Sequence, residues 1–335
     1  MPQILTDEEF KFVWESCKGD AKKVAERSGI TLRQVYNRRR YLEGKYSISL
    51  KAKTRPAGNY DNSEKIKTAE RLDKLAETRQ NRYEKEMGIN VKNGVVFVGS
   101  DAHYWPLIVS KAHEAFCKLA KELSPSIVVL NGDILDGARI SRHPRNLWEK
   151  QPSLKDELAA VQDRCAEIER AAPKAALIRT IGNHDARFER YLCENAPELE
   201  EMSGSTLLDY LPRWRAGWTV HINAQTEGWT VIRHRPVSGG IHSAYNSVLR
   251  SGVNYVHGHL HKLEHKPWGD YRGRHWGIDC GTLADPKGPQ FNYTEAGPLN
   301  WGSGFYVLTY RDGLMLPPEP CIIEHERAWF RGKEV

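Results

Sequence analysis

The sequence has few cysteines and no long hydrophobic run, and both features narrow the class of protein. Its six cysteines are scattered over 335 residues without a Cys-x-x-Cys pair. A zinc ribbon or disulfide scaffold is therefore not expected, and a reduced cytoplasmic protein is the simpler interpretation. The longest apolar runs, such as residues 95–98, fall far short of the ~20 residues that span a bilayer. The first nine residues are acidic and lack the apolar segment of a signal peptide, so we expect no membrane partner.

The composition suits a globular chain of two domains. Hydrophobic residues make up 40% of the chain, charged residues 27%, and there are ten tryptophans. The formal net charge of +6 arises entirely in residues 1–90, which hold 20 Lys/Arg and 14 Asp/Glu. Such an excess favours an anionic partner, although a solvated basic surface explains it equally well.

Residues 1–45 have the pattern of a small helical module. Apolar residues at helical spacing, among them Phe10 and Trp14, predict a first helix. Asp20 and Thr31 are candidate N-caps, and Gly29 is suited to the turn between two further helices. Residues 24–38 therefore resemble a helix-turn-helix signature.

The last predicted helix of this module presents side chains that suit base edges and phosphates. They are Arg33, Gln34, Asn37, Arg38 and Arg40. We interpret residues 1–45 as a nucleic-acid-binding module, with DNA as the favoured partner. An ordinary helical hairpin with a basic face is the alternative.

Residues 46–90 predict a basic linker followed by a charged helix. Lys, Ser, Pro and Gly dominate residues 46–62, which is typical of a flexible tether. Residues 63–87 carry a narrow apolar stripe among many charges, which predicts a helix that packs on a neighbouring domain.

In residues 91–335, five buried-type strands each run directly into oxygen or imidazole ligands. These strands are residues 94–100, 126–130, 175–181, 229–233 and 253–257. The ligand-bearing segments that follow them contain Asp101 and His103, Asp133, Asn183 to Asp185, His234, and His259 with His261. Because residues just past the carboxyl ends of strands face the ligand crevice in α/β folds, we expect one shared site.

The order of these segments, D-x-H, G-D, G-N-H-D, H and G-H-x-H over residues 95–261, resembles the five blocks of the calcineurin-like dimetal phosphoesterases. That resemblance implies an α/β fold with a two-sheet β-sandwich flanked by helices over residues 91–335. With a helix-turn-helix ahead of it, the layout is similar to phage-encoded members of the superfamily. A phage origin would place the protein in the host cytoplasm.

The resemblance also implies a role for each ligand. Asp133 would bridge two divalent cations. Asp101, His103 and His261 would complete one metal site, and Asn183, His234 and His259 the other. His234 precedes Arg235 and Pro236 where the superfamily usually has glycine, so His242 is an alternative ligand. The extended spacing of His259 and His261 would turn both imidazoles toward one crevice.

The implied chemistry is hydrolysis of a phosphoester by a water molecule that both metals acidify. Mixed nitrogen and oxygen ligands suit manganese, with iron, zinc or nickel as alternatives. His184 would protonate the leaving oxygen, with Asp185 orienting its ring. Asp136 is a candidate to hold a ligand histidine or an arginine.

Substrate phosphates could be bound by Arg142, His143 and Arg187, which lie beside the ligand blocks. The leading function is a phosphodiesterase or nuclease acting on nucleic acid. One alternative is a phosphohydrolase acting on a small nucleotide or a phosphoprotein. Another is a DNA-binding regulator whose phosphoesterase half is structural, although seven buried polar ligands argue against an idle site.

Overall fold

The structure is a computed structural model that describes residues 5–51, 83–142, 150–200, 202–294 and 299–335. The chain divides into two compact units, Met1–Leu75 and Ala76–Val335. We call them the N-terminal unit and the sheet unit.

The N-terminal unit contains three helices, α1 (Asp7–Ser16), α2 (Ala21–Ser28) and α3 (Leu32–Tyr46). The Asp20 carboxylate accepts hydrogen bonds from the first turn of α2, and the Thr31 hydroxyl accepts one from the Gln34 amide of α3. Gly29 ends α2 with φ of 63°, a left-handed conformation that glycine adopts without strain. The predicted caps and turn are therefore present, while a role in binding nucleic acid stays a prediction.

The core of this unit is small and apolar. Its fully or almost fully buried side chains are Phe10, Trp14, Val24, Val35 and Leu42. Arg38 ties α3 to the start of α1, because its guanidinium donates to Asp7 Oδ1 at 2.7 Å and to the Leu5 carbonyl at 3.0 Å.

Fourteen strands of the described residues form one hydrogen-bonded sheet in the sheet unit. They are β1 (Tyr83–Ile89), β2 (Gly94–Gly99), β3 (Ile127–Asn131), β4 (Ala176–Thr180), β5 (Arg215–Ile222), β6 (Thr230–Arg233), β7 (Asn254–His257), β8 (Glu264–Asp270), β9 (Gly273–Asp279), β10 (Gly304–Arg311), β11 (Leu314–Met315), β12 (Glu319–Glu324), β13 (Arg327–Phe330) and β14 (Lys333–Glu334). The order is β14-β13-β12-β10-β2-β3-β4-β5-β6-β7-β9-β8, with β1 beside β5 and β11 beside β10. Strands β2, β3, β4 and β5 run parallel.

Strand β5 is the junction between the two halves of this sheet. Strand β1 pairs with β5 along nearly the whole length of β5. On β5, strand β4 pairs with residues 215–217 and strand β6 with residues 219–222. Because a strand has only two edges, β4 and β6 follow one another along the edge opposite β1. The halves then face each other, since the Tyr310 hydroxyl of β10 donates to Thr230 Oγ1 of β6 over 2.9 Å.

The two sheets that the resemblance implies are joined through β5 into one continuous sheet, whose halves face each other. The space between its halves is filled by apolar side chains of strands from both, such as Val98, Ile178, Val256 and Ile278. Strand β5 hydrogen-bonds to strands of both halves and so keeps the sheet continuous.

Helices cover the outer faces of the sheet. They are α4 (Lys111–Leu123), α5 (Leu154–Ala171), α6 (Asp185–Asn195), α7 (Leu207–Tyr210) and α8 (Ser243–Ser251). Phe116 of α4 and Val161 of α5 are fully buried in one cluster with Phe97 and Leu130 of the strands. The fold is therefore a mixed α/β structure with a large central sheet flanked by helices. Among the described residues, no helix combines the length and apolar character that crossing a membrane requires.

The predicted helix over residues 63–87 is wrong at its end. Residues 63–82 lie outside the described part of the chain, and Tyr83–Ile89 is strand β1. Met87 is fully buried in this strand, and Tyr83 pairs with Ala216. Tertiary pairing with β5 overrides the local helical pattern, so the sheet unit begins before residue 91.

Candidate metal centre

The strand ends bring the predicted ligands together. Asp101 and His103 follow β2, Asp133 follows β3 and Asn183 follows β4. Parallel neighbouring strands end at the same edge of a sheet, so these segments lie side by side. His234 follows β6, and His259 and His261 follow β7, which runs parallel to β6.

Three overlapping groups of side chains have ligand atoms that all lie within 4.8 Å of one another. They are Asp101 with His103 and His261, His103 with Asp133 and His184, and Asp133 with His234 and His259. The first and third groups correspond to the two half-sites that the resemblance implies. His103 and Asp133 link all three groups into one continuous cluster.

The unshared electron pairs in this cluster fit divalent cations. The Nδ1 atom of His103 lies 2.9 Å from Asp136 Oδ1, which leaves its buried Nε2 without a hydrogen-bond partner. Asn183 Oδ1 is buried without a partner as well. Each such atom costs about 1–3 kcal/mol unless a ligand satisfies it. We conclude that the donor set suits metal ions.

His234 is oriented in the same way. Its Nδ1 lies 2.8 Å from the Asn131 carbonyl, and its Nε2 faces Asp133 Oδ2 at 3.1 Å. A carbonyl that accepts the Nδ1 proton keeps the Nε2 lone pair available to a metal. His242 is exposed ahead of α8, so the structure brings His234 and not His242 into the cluster.

Five of the predicted ligands have a left-handed backbone, which is uncommon for residues other than glycine. They are Asp101 (φ 52°), His103 (φ 38°), Asp133 (φ 51°), His259 (φ 73°) and His261 (φ 59°). Strain of this kind concentrates at functional sites. The expectation of an extended backbone at His259 and His261 is therefore wrong. Leu260 separates two left-handed residues, and the imidazoles join different groups of the cluster.

Two glycines leave the carboxylates the room that they need. A Cβ on Gly182 would lie 2.0 Å from Asp133 Oδ1, and one on Gly258 would lie 2.3 Å from Asp101 Oδ2. Both distances are far below van der Waals contact. A side chain at either position would therefore displace a predicted metal ligand.

The electrostatics of the cluster favour bound positive charge. Burial would raise the pKa of Asp101, but the imidazoles of His261 and His234 lower it to about 2. Burial would lower the pKa of His234, but the carboxylates of Asp133 and Asp101 raise it to about 10. Burial would also raise the pKa of Asp133, but the His234 imidazole holds it well below its usual range. The two buried carboxylates thus stay ionised and attract cations, whether protons or metals.

The orienting contact to His184 comes from Asp136 and not, as expected, from Asp185. His184 Nδ1 lies 3.0 Å from the Asp136 carbonyl and 3.1 Å from its Oδ1. Asp185 instead accepts hydrogen bonds from the backbone amides of Asp133 and Gly182, each over 3.0 Å. Asp185 begins helix α6, so its carboxylate reaches the loop after β3 and holds the backbone that presents Asp133.

The predicted phosphate-binding residues have different environments. Arg187 donates to the Asp136 carbonyl at 2.8 Å and lies 3.1 Å from Nε2 of His184, so it belongs to the cluster. Arg142 is exposed, and His143 lies outside the described residues.

Comparison with known proteins identifies relatives encoded by phages. No family model matches the chain. The gene 54 protein of Mycobacterium phage D29 is 30% identical over 220 residues, which cover 59% of this chain and 82% of that protein. The chain belongs to the family of mycobacteriophage gene 54 proteins.

A second phage protein and one solved structure are also similar to this chain. The gene 54 protein of Mycobacterium phage L5 is 29% identical over 219 residues, again 82% of that protein. Among solved structures, Vps29 from Chaetomium thermophilum matches with a TM-score of 0.36 and 10% identity over 72% of this chain and 96% of that one. This structural likeness is too low to inform fold or function.

The gene 54 family member also has a cavity that sequence reasoning missed. It has a volume of about 280 Å³, and its lining includes the predicted ligands Asn183 and His234. Its outer lining consists of Arg190, Trp218, Arg233 and Arg235. The one signal in the sequence was the pair of arginines on either side of His234.

Proposed function

We propose that this chain is a metal-dependent phosphoesterase that hydrolyses phosphodiester bonds in nucleic acid. The observation that carries the proposal is the position of Asp133, which belongs both to the group with His103 and to the group with His234 and His259. A carboxylate shared by two adjacent groups of nitrogen and oxygen ligands is the arrangement on which two-metal phosphoester hydrolysis depends. The resemblance of the sequence blocks to calcineurin-like phosphoesterases supports the same activity.

The chain's own residues then have distinct roles. Asp101, His103, His261 and Asp133 would hold one cation, and Asn183, His234, His259 and Asp133 the other. Two cations at this position would supply an acidified water and neutralise phosphate charge. His184 would donate a proton to the leaving oxygen. Burial and the neighbouring Arg187 guanidinium lower its pKa, but the hydrogen bond to Asp136 and the Asp133 carboxylate outweigh them and raise it above its ordinary value.

Nucleic acid is the substrate that the N-terminal unit supports. Arg33, Asn37 and Arg40 are exposed and lie at positions i, i+4 and i+7 of helix α3, so they share one face. We propose that this face binds the phosphate backbone of DNA, in the cytoplasm of an infected host cell.

A hydrolysis assay with a matched variant tests the proposal. The full chain with Mn²⁺ is expected to cleave bis(p-nitrophenyl) phosphate, and Asp133→Asn to lower kcat by roughly 10³-fold, because several kcal/mol of charge stabilisation are lost. Elemental analysis should give two metal ions per wild-type chain and fewer in the variant. The exposed Asp163→Asn is the control. A wild-type chain that binds metal and cleaves no phosphoester would refute the proposed phosphoesterase activity.

The same assay separates the alternatives. Cleavage of p-nitrophenyl phosphate without the diester would favour a phosphohydrolase on a small nucleotide or phosphoprotein. DNA binding without hydrolysis by any divalent metal would leave a regulator with a structural phosphoesterase half.

A further inference from the structure

The 280 Å³ cavity beside the metal centre lies next to the reacting phosphate of the proposed function. Asn183 and His234 form its inner wall, so a ligand in it is adjacent to any phosphate held by the second metal group. Ligand pockets in proteins have volumes of roughly 300–1,000 Å³. A cavity near the lower limit suits a single nucleotide-sized group.

The outer wall of the cavity is strongly cationic. Arg190, Arg233 and Arg235 are exposed, and no carboxylate of the described residues is paired with any of them. Arg233 also hydrogen-bonds to the side chain of Tyr255, which is a neutral partner and leaves its charge uncompensated. Arg190 lies one helical turn after Ala186 on α6, so both face the cavity. Three uncompensated guanidinium groups around one small cavity favour a ligand that carries more than one phosphate.

The cavity also has an aromatic wall. Trp218 is 47% exposed although it lies in the central strand β5, between the buried residues Gly217 and Val220. An exposed indole beside arginines offers a planar surface on which a base can stack, while the guanidinium groups bind phosphates. A phosphopeptide would use the arginines but not the indole, so the combination favours a nucleotide.

We propose that this cavity is a nucleotide subsite, in which Trp218 stacks on the base next to the scissile phosphate and Arg190, Arg233 and Arg235 bind the neighbouring phosphates. The inference deepens the proposed function and rests on it for the identity of the scissile phosphate. It gives the substrate class as single-stranded nucleic acid or a splayed strand end, because a base that enters a cavity of this size has to leave its pairing partner.

Two esters with the same leaving group test the subsite in the Mn²⁺-loaded full chain. One is the p-nitrophenyl ester of thymidine 5′-phosphate, and the other is methyl p-nitrophenyl phosphate, which has no base. Trp218→Ala is expected to lower kcat/KM for the thymidine ester roughly 5- to 150-fold, the range for loss of one stacked base. The methyl ester should be cleaved at an unchanged rate, and Trp218→Phe should restore most of the thymidine activity.

A binding measurement without metal keeps the two proposals separable. Calorimetric titration of the full chain with a thymidine pentanucleotide in EDTA should show weaker binding for Trp218→Ala. Arg235→Gln should reduce the salt dependence by about 0.7 in log–log slope for each lost phosphate contact. Exposed controls in the same unit are Tyr271→Ala and Arg274→Gln.

The outcomes are distinct. If neither ester is cleaved but Trp218→Ala still weakens binding of the pentanucleotide, the proposed hydrolase fails and the subsite stands. If Trp218→Ala slows both esters equally, or if a phosphoserine peptide binds through the arginines while the pentanucleotide does not, the nucleotide subsite is overturned.

Discussion

Asp136 Oδ1 lies 2.9 Å from Nδ1 of His103, and this contact decides which imidazole nitrogen faces the metal cluster. Asp136 and His103 are both almost fully buried, so little water is available to replace the carboxylate. With the Nδ1 proton directed to Asp136, the lone pair on Nε2 remains for a cation. The same carboxylate lies 3.1 Å from His184 Nδ1, so it orients two imidazoles.

We therefore expect Asp136→Ala to weaken metal binding about 10- to 100-fold, the usual effect of losing a residue that orients a ligand histidine. Competition between the protein and a chromogenic chelator for Mn²⁺ or Zn²⁺ measures the change. Asp136→Asn should have a smaller effect, because the amide oxygen can still accept the hydrogen bond. Equal affinities for the wild type and Asp136→Ala would contradict this role.

The variants His234→Ala and His242→Ala should differ in the number of metal ions that they bind. His234→Ala removes a nitrogen from the group that contains Asp133 and His259, so we expect a metal content near one ion per chain. His242→Ala changes an exposed side chain ahead of α8 and should leave two ions. Elemental analysis after gel filtration gives both numbers. A loss of metal in His242→Ala alone would show that the ligand assignment is wrong.

The sequence predicted those parts of the fold and site that depend on local pattern. Strands β2, β3, β4, β6 and β7 are short segments with apolar residues at their centres, and the candidate ligands follow them within a few residues. The local pattern located the strands and the segments after them, and the resemblance of those segments to a known family supplied the ligand roles. The helical caps at Asp20 and Thr31 could also be predicted, because each bonds to amides only two or three residues further along the chain.

What the sequence did not reveal depends on pairing between distant residues. Tyr83 pairs with Ala216, 133 positions further along the chain, and no local pattern in β1 reports that partner. Trp218 and Arg190 line one cavity because β4 and β5 are paired. Asp136, and not Asp185, orients His184 because the loop after β3 meets the loop after β4. This contact also depends on residues that are distant in the sequence.

Glu157 should make stability depend on pH. It is fully buried on α5 and accepts hydrogen bonds from the amides of Gly137 at 2.6 Å and Ala138 at 3.1 Å. Burial and the nearby Asp136 carboxylate raise its pKa from 4.5 to about 7. Between these values the folded chain keeps a proton that the unfolded chain releases. Raising the pH from 4.5 to 7 should therefore lower the free energy of unfolding, by at most about 3 kcal/mol.

Glu157→Gln removes this titration while preserving shape. Urea unfolding in EDTA at pH 5 and pH 8 should show the wild type losing stability relative to the variant at the higher pH. The exposed Asp163→Asn on the same helix should not alter the pH dependence. A constant difference between wild type and Glu157→Gln across this range would rule out the buried proton.

Replacing different arginines of α3 should affect either the stability of the N-terminal unit or its binding of DNA. Arg38 is hydrogen-bonded to the Asp7 carboxylate and the Leu5 carbonyl, so Arg38→Gln should lower the stability of the N-terminal unit. Arg33 and Arg40 are exposed, and their replacement by glutamine should leave stability unchanged. If the unit binds duplex DNA, each of these two variants should weaken binding of all sequences and lower the salt slope by about 1.

Anisotropy titrations at several salt concentrations, with circular dichroism melts as the control, distinguish the two effects. Unchanged DNA affinity and salt slope in the Arg33→Gln, Arg40→Gln double variant would mean that this face of α3 does not bind phosphates.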